Sequence, residues 1–139
     1  MGNCSNKIEI SAPVQAVWDK IKDFHDLSWA SGVIEKLDKV GDKSGGQVGA
    51  KRVLNDAFHE TLTSIDHTGF TFSYSIDDGP GPVAKDVVDN YKGVVTLTPA
   101  GSGTLVEWNS SFQSKADSEV ADFCNPIYQA LLGAMKKSF

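Results

Sequence analysis

In several stretches between residues 48 and 112 apolar side chains recur at every second position, and beyond residue 114 they recur at helical spacing. That change of period constrains the fold more than any other feature, because strands present alternate residues to one face and helices every third or fourth. Residues 48–76 read VGAKRVLNDAFHETLTSIDHTGFTFSYSI. Phe58, Glu60 and Leu62 share one face of a strand, against His59, Thr61 and Thr63. Phe70, Phe72, Tyr74 and Ile76 share one face of the next, against Thr71, Ser73 and Ser75. The apolar phase should face a core, and Glu60 lies on it. Upstream, Ala50, Arg52 and Leu54 form one phase of a preceding strand. Asn55-Asp56-Ala57 reads as a three-residue hairpin loop, since Asn and Asp tolerate the left-handed conformation. Leu54 then lies opposite Phe58 and Arg52 opposite Glu60, which places a charged pair on the inner face of a hairpin. The alternatives are a structural ion pair at an open rim or one facing solvent.

The flanking segments complete the pattern. Ile8 and Ile10 alternate in a first strand over residues 7–11. Ser11 is the expected N-cap of an amphipathic helix carrying Val14, Val17, Trp18 and Ile21, with Pro13 in its first turn. Residues 24–31 read as a second short helix or turn, 33–40 as a strand and 41–46 as a turn cluster. Residues 66–69 form a turn in which Gly69 is expected to supply the positive φ. Residues 77–82 (DDGPGP) are a loop and 83–90 an extended connection. Residues 91–98 and 104–112 are strands, the latter with Val106, Trp108 and Phe112 on one phase. The terminal helix runs to about Lys137 with Val120, Phe123, Cys124, Ile127, Leu131 and Ala134 on its stripe, and Pro126 predicts a kink or local break. A strand, two short helices, about six antiparallel strands and one long helix make an α+β fold. A sheet of that size must curl, and the helix can fill its concave side while leaving room for a cavity.

Composition narrows the function. A chain of 139 residues is expected to form one domain over residues 1–139, with residues 1–5 untethered and Cys4 an exposed thiol. The net charge of −5 and the lack of any basic run longer than Lys136-Lys137 argue against nucleic acid as a partner. No apolar stretch is long enough to span a bilayer and no secretory leader is visible, so a cytoplasmic location is expected. The start falls short of a myristoylation signal, which wants Ser or Thr where Asn6 stands. Cys4 and Cys124 make no disulfide framework or metal site, and His25, His59 and His67 make no ligand set. No P-loop, dinucleotide fingerprint or nucleophile elbow is present. Neither a metal nor a cofactor is expected.

The segments IEISAPVQAVWDKIKDF, SWASGV, GGQVGAKRVL, HETLTSID, FSYSI, NYKGVVTLTP and GTLVEW occur in this order over residues 6–138. Together they resemble the successive landmarks of the START/birch-pollen-allergen superfamily (SRPBCC), in its polyketide cyclase/dehydrase and lipid transport branch. The resemblance implies a helix-grip: a curved seven-stranded antiparallel sheet wrapped on a long C-terminal helix, two short helices after the first strand, and a ligand cavity between. It implies no single reaction, because the fold hosts receptors, carriers, cyclases, isomerases and accessory proteins. Lachrymatory-factor synthase-like members carry an Arg on the third strand, a Glu on the fourth and tyrosines nearby. Arg52 in GAKRV, Glu60 in HETL, Tyr74 in FSYSI and, more loosely, Tyr91 look like these. Glu60 and Tyr91 also match polar ligand contacts of plant abscisic-acid receptors. The receptors' gate loop is absent and the hairpin between Arg52 and Glu60 is shorter, which argues against a hormone receptor. The DDGPGPV loop could still act as a lid.

The expected ligand-binding residues are Arg52, Glu60, Tyr74, Tyr91, Trp29, Phe58, Phe72, Trp108, Phe123 and Ile127. Three functions fit: a binder of a small hydrophobic molecule with a polar head; a cofactor-independent cyclase, dehydratase or isomerase; and an accessory protein with a vestigial cavity. In the enzyme reading Glu60 is the acid/base, Arg52 an electrostatic stabiliser and Tyr74 an assistant. The tyrosines could equally be core aromatics whose hydroxyls are satisfied by neighbours.

Overall fold

A computed structural model describes residues 2–139. One antiparallel sheet holds seven strands in the order β1-β7-β6-β5-β4-β3-β2. They are β1 (Gly2–Ile10), β2 (Leu37–Val40), β3 (Lys51–Leu54), β4 (Phe58–Asp66), β5 (Thr71–Asp78), β6 (Val88–Ala100) and β7 (Gly103–Ser114). Consecutive strands from β2 to β7 are neighbours, and β1 crosses back to pair with β7. Two helices complete the fold: α1 (Val14–Ile21) after β1, and α2 (Asp117–Lys137) at the end. Short 3-10 turns lie at Ser28–Ala30 and Gly81–Val83. The sheet curves in the helix-grip manner, and α2 packs chiefly along β1 and β7.

The opening hairpin has the register that its alternation demands, with Leu54 opposite Phe58 and Arg52 opposite Glu60. Asn55 and Asp56 take positive φ of 54° and 56°. Asn55 also clamps the approach to β2: its Oδ1 accepts from the Glu35 and Lys36 amides at 2.8 and 3.1 Å, and its Nδ2 donates to the Val33 carbonyl at 3.2 Å. One end of the interior is solid. Val17, Trp18 and Ile21 of α1 are buried, as are Val95, Leu97 and Val106 of β6 and β7. Trp18 stands edge-on to Phe70 with centroids 5.9 Å apart, and its Nε1 donates to His67 Nδ1 at 3.1 Å.

Several expectations need correction. The terminus is not untethered: β1 is paired with β7 from Gly2 opposite Phe112, and Cys4 is buried rather than exposed. Pro13, not Ser11, is the N-cap of α1, and no side chain caps that end. The positive φ of the β4–β5 turn falls on Phe70 (54°) rather than Gly69. A Cβ at Gly69 would lie 2.8 Å from Asp66 Oδ2, the tip of an exposed side chain that can shift aside. α2 continues as helix through Pro126 without a break. Its buried face is centred one residue further round than the apolar count suggests, on Val120, Cys124, Tyr128, Leu131, Leu132 and Met135, leaving Phe123, Ile127 and Ala134 half-buried.

Candidate functional site

Inward positions of β3, β4 and β5 meet the buried face of α2 in the half of the interior away from α1. Arg52 and Glu60, 4% and 6% exposed, form an ion pair there. Arg52 Nη2 and Nε both reach Glu60 Oε1, at 2.7 and 2.9 Å. Arg52 Nη1 donates to the Phe24 carbonyl at 2.9 Å, and the guanidinium lies 3.7 Å from the Phe24 ring centroid. The cation is thus held on three sides, by carboxylate, carbonyl and ring face. Glu60 Oε2 accepts no hydrogen bond among the described residues. Burial raises the Glu60 carboxyl above its ordinary 4.5, Arg52 pulls it down by charge and hydrogen bond, and Asp77 pushes it up again. The net direction is upward.

Next to this pair is a hydroxyl cluster. Tyr74 on β5 is seated over Gly93 of β6, its cross-strand partner, where any Cβ would collide with the phenol ring. Its hydroxyl accepts from Trp108 Nε1 at 2.9 Å and donates to the Tyr128 hydroxyl at 3.3 Å. Tyr128 is in turn hydrogen-bonded to the Tyr91 hydroxyl, and its ring stacks on Trp108 with centroids 5.3 Å apart. Burial holds the hydroxyls of all three tyrosines above the ordinary phenol value. Burial also pushes the Cys124 thiol up to about 11. All four groups keep their protons at neutral pH.

Ion pair and hydroxyl cluster border a slot of about 40 Å³. Leu54, Phe58 and Ile76 wall it from the sheet, Ile127 and Leu131 from α2, and Leu27 and Ile34 from the connection between α1 and β2. This is room for about three water molecules and far below the roughly 300–1,000 Å³ of a pocket for a drug-sized ligand. The interior expected to be hollow is largely filled by its own side chains.

Of the residues singled out in the sequence, Arg52, Glu60, Tyr74, Phe58, Trp108 and Ile127 border the slot. The other four do not. Tyr91 stacks on Phe112 at 5.6 Å and joins the cluster from behind, through Tyr128 and Cys124. Phe72 packs on Trp18 at 6.2 Å, in the solid end. Phe123 backs Phe58 at 6.3 Å. Trp29 lies outside, by Ala130, Gly133 and Ala134 of α2. Sequence reasoning missed Tyr128, whose signal was its place four residues after Cys124 and eight after Val120, on one helical face. The 77–82 loop is tied down: Asp78 Oδ1 accepts from the Gly79 and Lys85 amides at 2.9 and 3.0 Å, and Val83 is fully buried.

The family model for polyketide cyclase / dehydrase and lipid transport proteins matches residues 1–139. The chain belongs to that family. No curated protein matches it. Among solved structures, a Nitrosospira multiformis protein is 37% identical, with a TM-score of 0.95 over 99% of this chain and 95% of that one. The Bacillus cereus protein XoxI is 25% identical, with a TM-score of 0.82 over 100% of this chain and 96% of that one. Norcoclaurine synthase from Thalictrum flavum, solved in complex with dopamine and hydroxybenzaldehyde, shares the fold at 15% identity, with a TM-score of 0.76 over 97% of this chain and 84% of that one. The family points to ligand binding or to cyclase/dehydrase-like chemistry. Among the described residues no helix is long and apolar enough to cross a membrane, and no group of three or more His, Cys, Asp or Glu could hold a metal ion.

Proposed function

We propose that the slot binds a small, mostly apolar molecule with a polar head, and that Arg52 and Glu60 hold the head. The observation that carries this reading is the one-sided engagement of Glu60. Oε1 takes both hydrogen bonds from Arg52 while Oε2 takes none among the described residues, in a residue that borders both the slot and an outer cleft with Lys51, His59 and Asp77. Desolvating an ion pair is costly, and an apolar pair of similar volume is often neutral or better for stability. Glu60 Oε2 is not among the buried polar atoms left without a partner, so it keeps contact with the surroundings and is open to a ligand O–H or N–H. Phe58, Trp108 and Ile127 supply apolar contact, and Tyr74 a hydroxyl. Phe72 and Trp29 drop out of the ligand set, and Tyr91 and Phe123 act from behind it.

A ligand must enlarge the slot. Leu27 and Ile34 are the walls assigned to yield in this reading, since they belong to a connection and not to the sheet or α2. The test is native mass spectrometry of protein isolated from its own cells, together with thermal shifts against a library of small hydrophobic molecules bearing hydroxyl or amine heads. Binding that is lost in Glu60→Gln supports the reading. The absence of any bound species and of any thermal shift overturns it.

The upward shift of the Glu60 carboxyl favours a second reading, a cofactor-independent cyclase, dehydratase or isomerase in which Glu60 moves the proton. Arg52 would steady the developing charge and Tyr74 would assist. Once a substrate is in hand, turnover that survives Glu60→Gln removes that role.

A further inference from the structure

The hydroxyl cluster has a polarity that identifies the other end of the ligand. Tyr74 is the member that borders the slot together with Tyr128, while Tyr91 stands behind. The Tyr74 oxygen is fixed by Trp108 Nε1 at 2.9 Å, so one lone pair is already taken. Its proton is held only by Tyr128 at 3.3 Å, longer than the roughly 2.5–3.0 Å of a well-formed O–H···O bond. Tyr128 is also hydrogen-bonded to Tyr91, and either oxygen of that contact can be the donor. The chain of hydroxyls can therefore run in two directions. In one, Tyr74 donates to Tyr128. In the other, Tyr91 donates to Tyr128, Tyr128 to Tyr74, and the Tyr74 proton is released into the slot.

We infer that Tyr74 gives its hydroxyl proton to an acceptor oxygen of the bound molecule as a hydrogen bond, and that Tyr128 is the positioning residue that reverses to support it. The proposal builds on the reading of the slot as a ligand site and specifies its ligand class. The molecule carries a carbonyl or phenolate-type oxygen at the Tyr74 end and a hydrogen-bond donor at the Glu60 end, as a hydroxycarbonyl or hydroxyaryl compound does. In the reversed state the Tyr74 oxygen accepts from both Trp108 and Tyr128. Accepting two hydrogen bonds polarises its O–H and makes it a stronger donor. Gly93 keeps the phenol in place, because no larger residue leaves room for the ring. Burial holds all three hydroxyls protonated, so the donor is available at neutral pH.

The probes are cyclopentanone and methylenecyclopentane, which have the same shape but differ in an acceptor oxygen. Each is titrated into the full chain, with affinity read by NMR and the carbonyl stretch of bound cyclopentanone read by infrared difference spectroscopy. The expected result is a ketone preference of about three- to tenfold, the worth of one hydrogen bond, with a carbonyl stretch below its value in an apolar solvent. Tyr74→Phe abolishes both preference and shift. Tyr128→Phe keeps part of the preference but returns the stretch toward the apolar value, which a merely structural loss would not do. If Tyr128→Phe does not fold, 3-fluorotyrosine placed at position 128, a more acidic donor, is expected to lower the stretch further. Equal binding of both probes with an unshifted stretch overturns the inference and leaves the apolar slot standing. A stretch that Tyr128→Phe or the fluorinated residue leaves unmoved overturns the role of Tyr128. Binding of neither probe overturns the slot as a ligand site, and this inference with it.

Discussion

The two ends of the interior use one sheet in opposite ways. Under α1, Val17, Trp18, Val95 and Val106 are closed off from solvent, and the Trp18 Nε1 finds a partner in His67. Under the middle of α2 the inward positions are Arg52, Glu60 and Tyr74, joined by Tyr128. The first end gains stability from apolar area removed from water. The second gives up part of that gain and depends on each buried polar atom having a partner. Among the described residues Glu60 Oε2 accepts no hydrogen bond.

Removing one large group from each end separates the two most sharply. Trp18→Ala is expected to destabilise by about 3–5 kcal/mol through lost burial and a cavity. Arg52→Met should cost about as much, roughly 3–5 kcal/mol, because Glu60 is left buried without its counter-charge. The two losses differ in whether a second change repairs them. Adding Glu60→Leu to Arg52→Met should bring stability back to wild type or above, as read by urea denaturation. An Arg52→Met variant as stable as wild type would mean that Glu60 is not desolvated.

Gly93→Ala acts on the polar end alone. It pushes on the Tyr74 ring and is expected to cost about 1–3 kcal/mol by overpacking. It should also move the Trp108 indole N–H resonance, because Trp108 Nε1 donates to Tyr74. The pH dependence separates the ends next. The folded Glu60 carboxyl is raised above its ordinary 4.5, so the folded chain holds more protons than the unfolded one between that value and the folded one. Stability from this group is therefore lost as pH rises through that interval, by about 1.4 kcal/mol for each pH unit the interval spans, and is level above it. Asp26, lowered by hydrogen bonds from Ser28, acts in the opposite sense at more acid pH. The difference between wild type and Glu60→Gln isolates the Glu60 contribution: the wild type should show the steeper fall. A pair of parallel curves would show that the carboxyl is not raised. The smallest effect belongs to the turn that sets the pair in register. Asn55→Ala loses three hydrogen bonds at an exposed site and a residue suited to positive φ. The expected cost is about 1 kcal/mol, measured by the same denaturation.

Much of the polar end was legible in the chain, for a definite reason. Alternation is strict from Arg52 to Glu60, and the intervening turn is short and rich in Asn and Asp, so counting across it leaves one register. The same alternation places Phe72 and Tyr74 on one face but not at one depth. Along the curved sheet Phe72 meets Trp18 while Tyr74 meets Trp108. Period reveals the face of a strand, not where along the trough each residue falls, and that is why Phe72 was misplaced; Phe123 lies on α2 and Trp29 in the Ser28–Ala30 turn, where strand period gives no depth either. Tyr128 escaped notice because an apolar count on α2 passes over a phenol, although its hydroxyl joins Tyr74 to Tyr91. Residues 2–6 carry too few apolar side chains to read as a strand. Their place comes from β7, a partner distant in sequence.

That last pairing has a consequence for how the protein is made. β1, made before the other six strands, has Gly2 opposite Phe112, near the end of the last of them. As the chain leaves the ribosome, β2 to β6 can zip into hairpins one after another, each with its neighbour already at hand. β1 has no partner until β7 emerges, and the apolar face of α1 waits with it. Long-range closure of this kind is slow and exposes apolar surface meanwhile. Order of synthesis and order of assembly thus run against each other, and the nascent chain is expected to depend on chaperones most during the interval before β7 is complete.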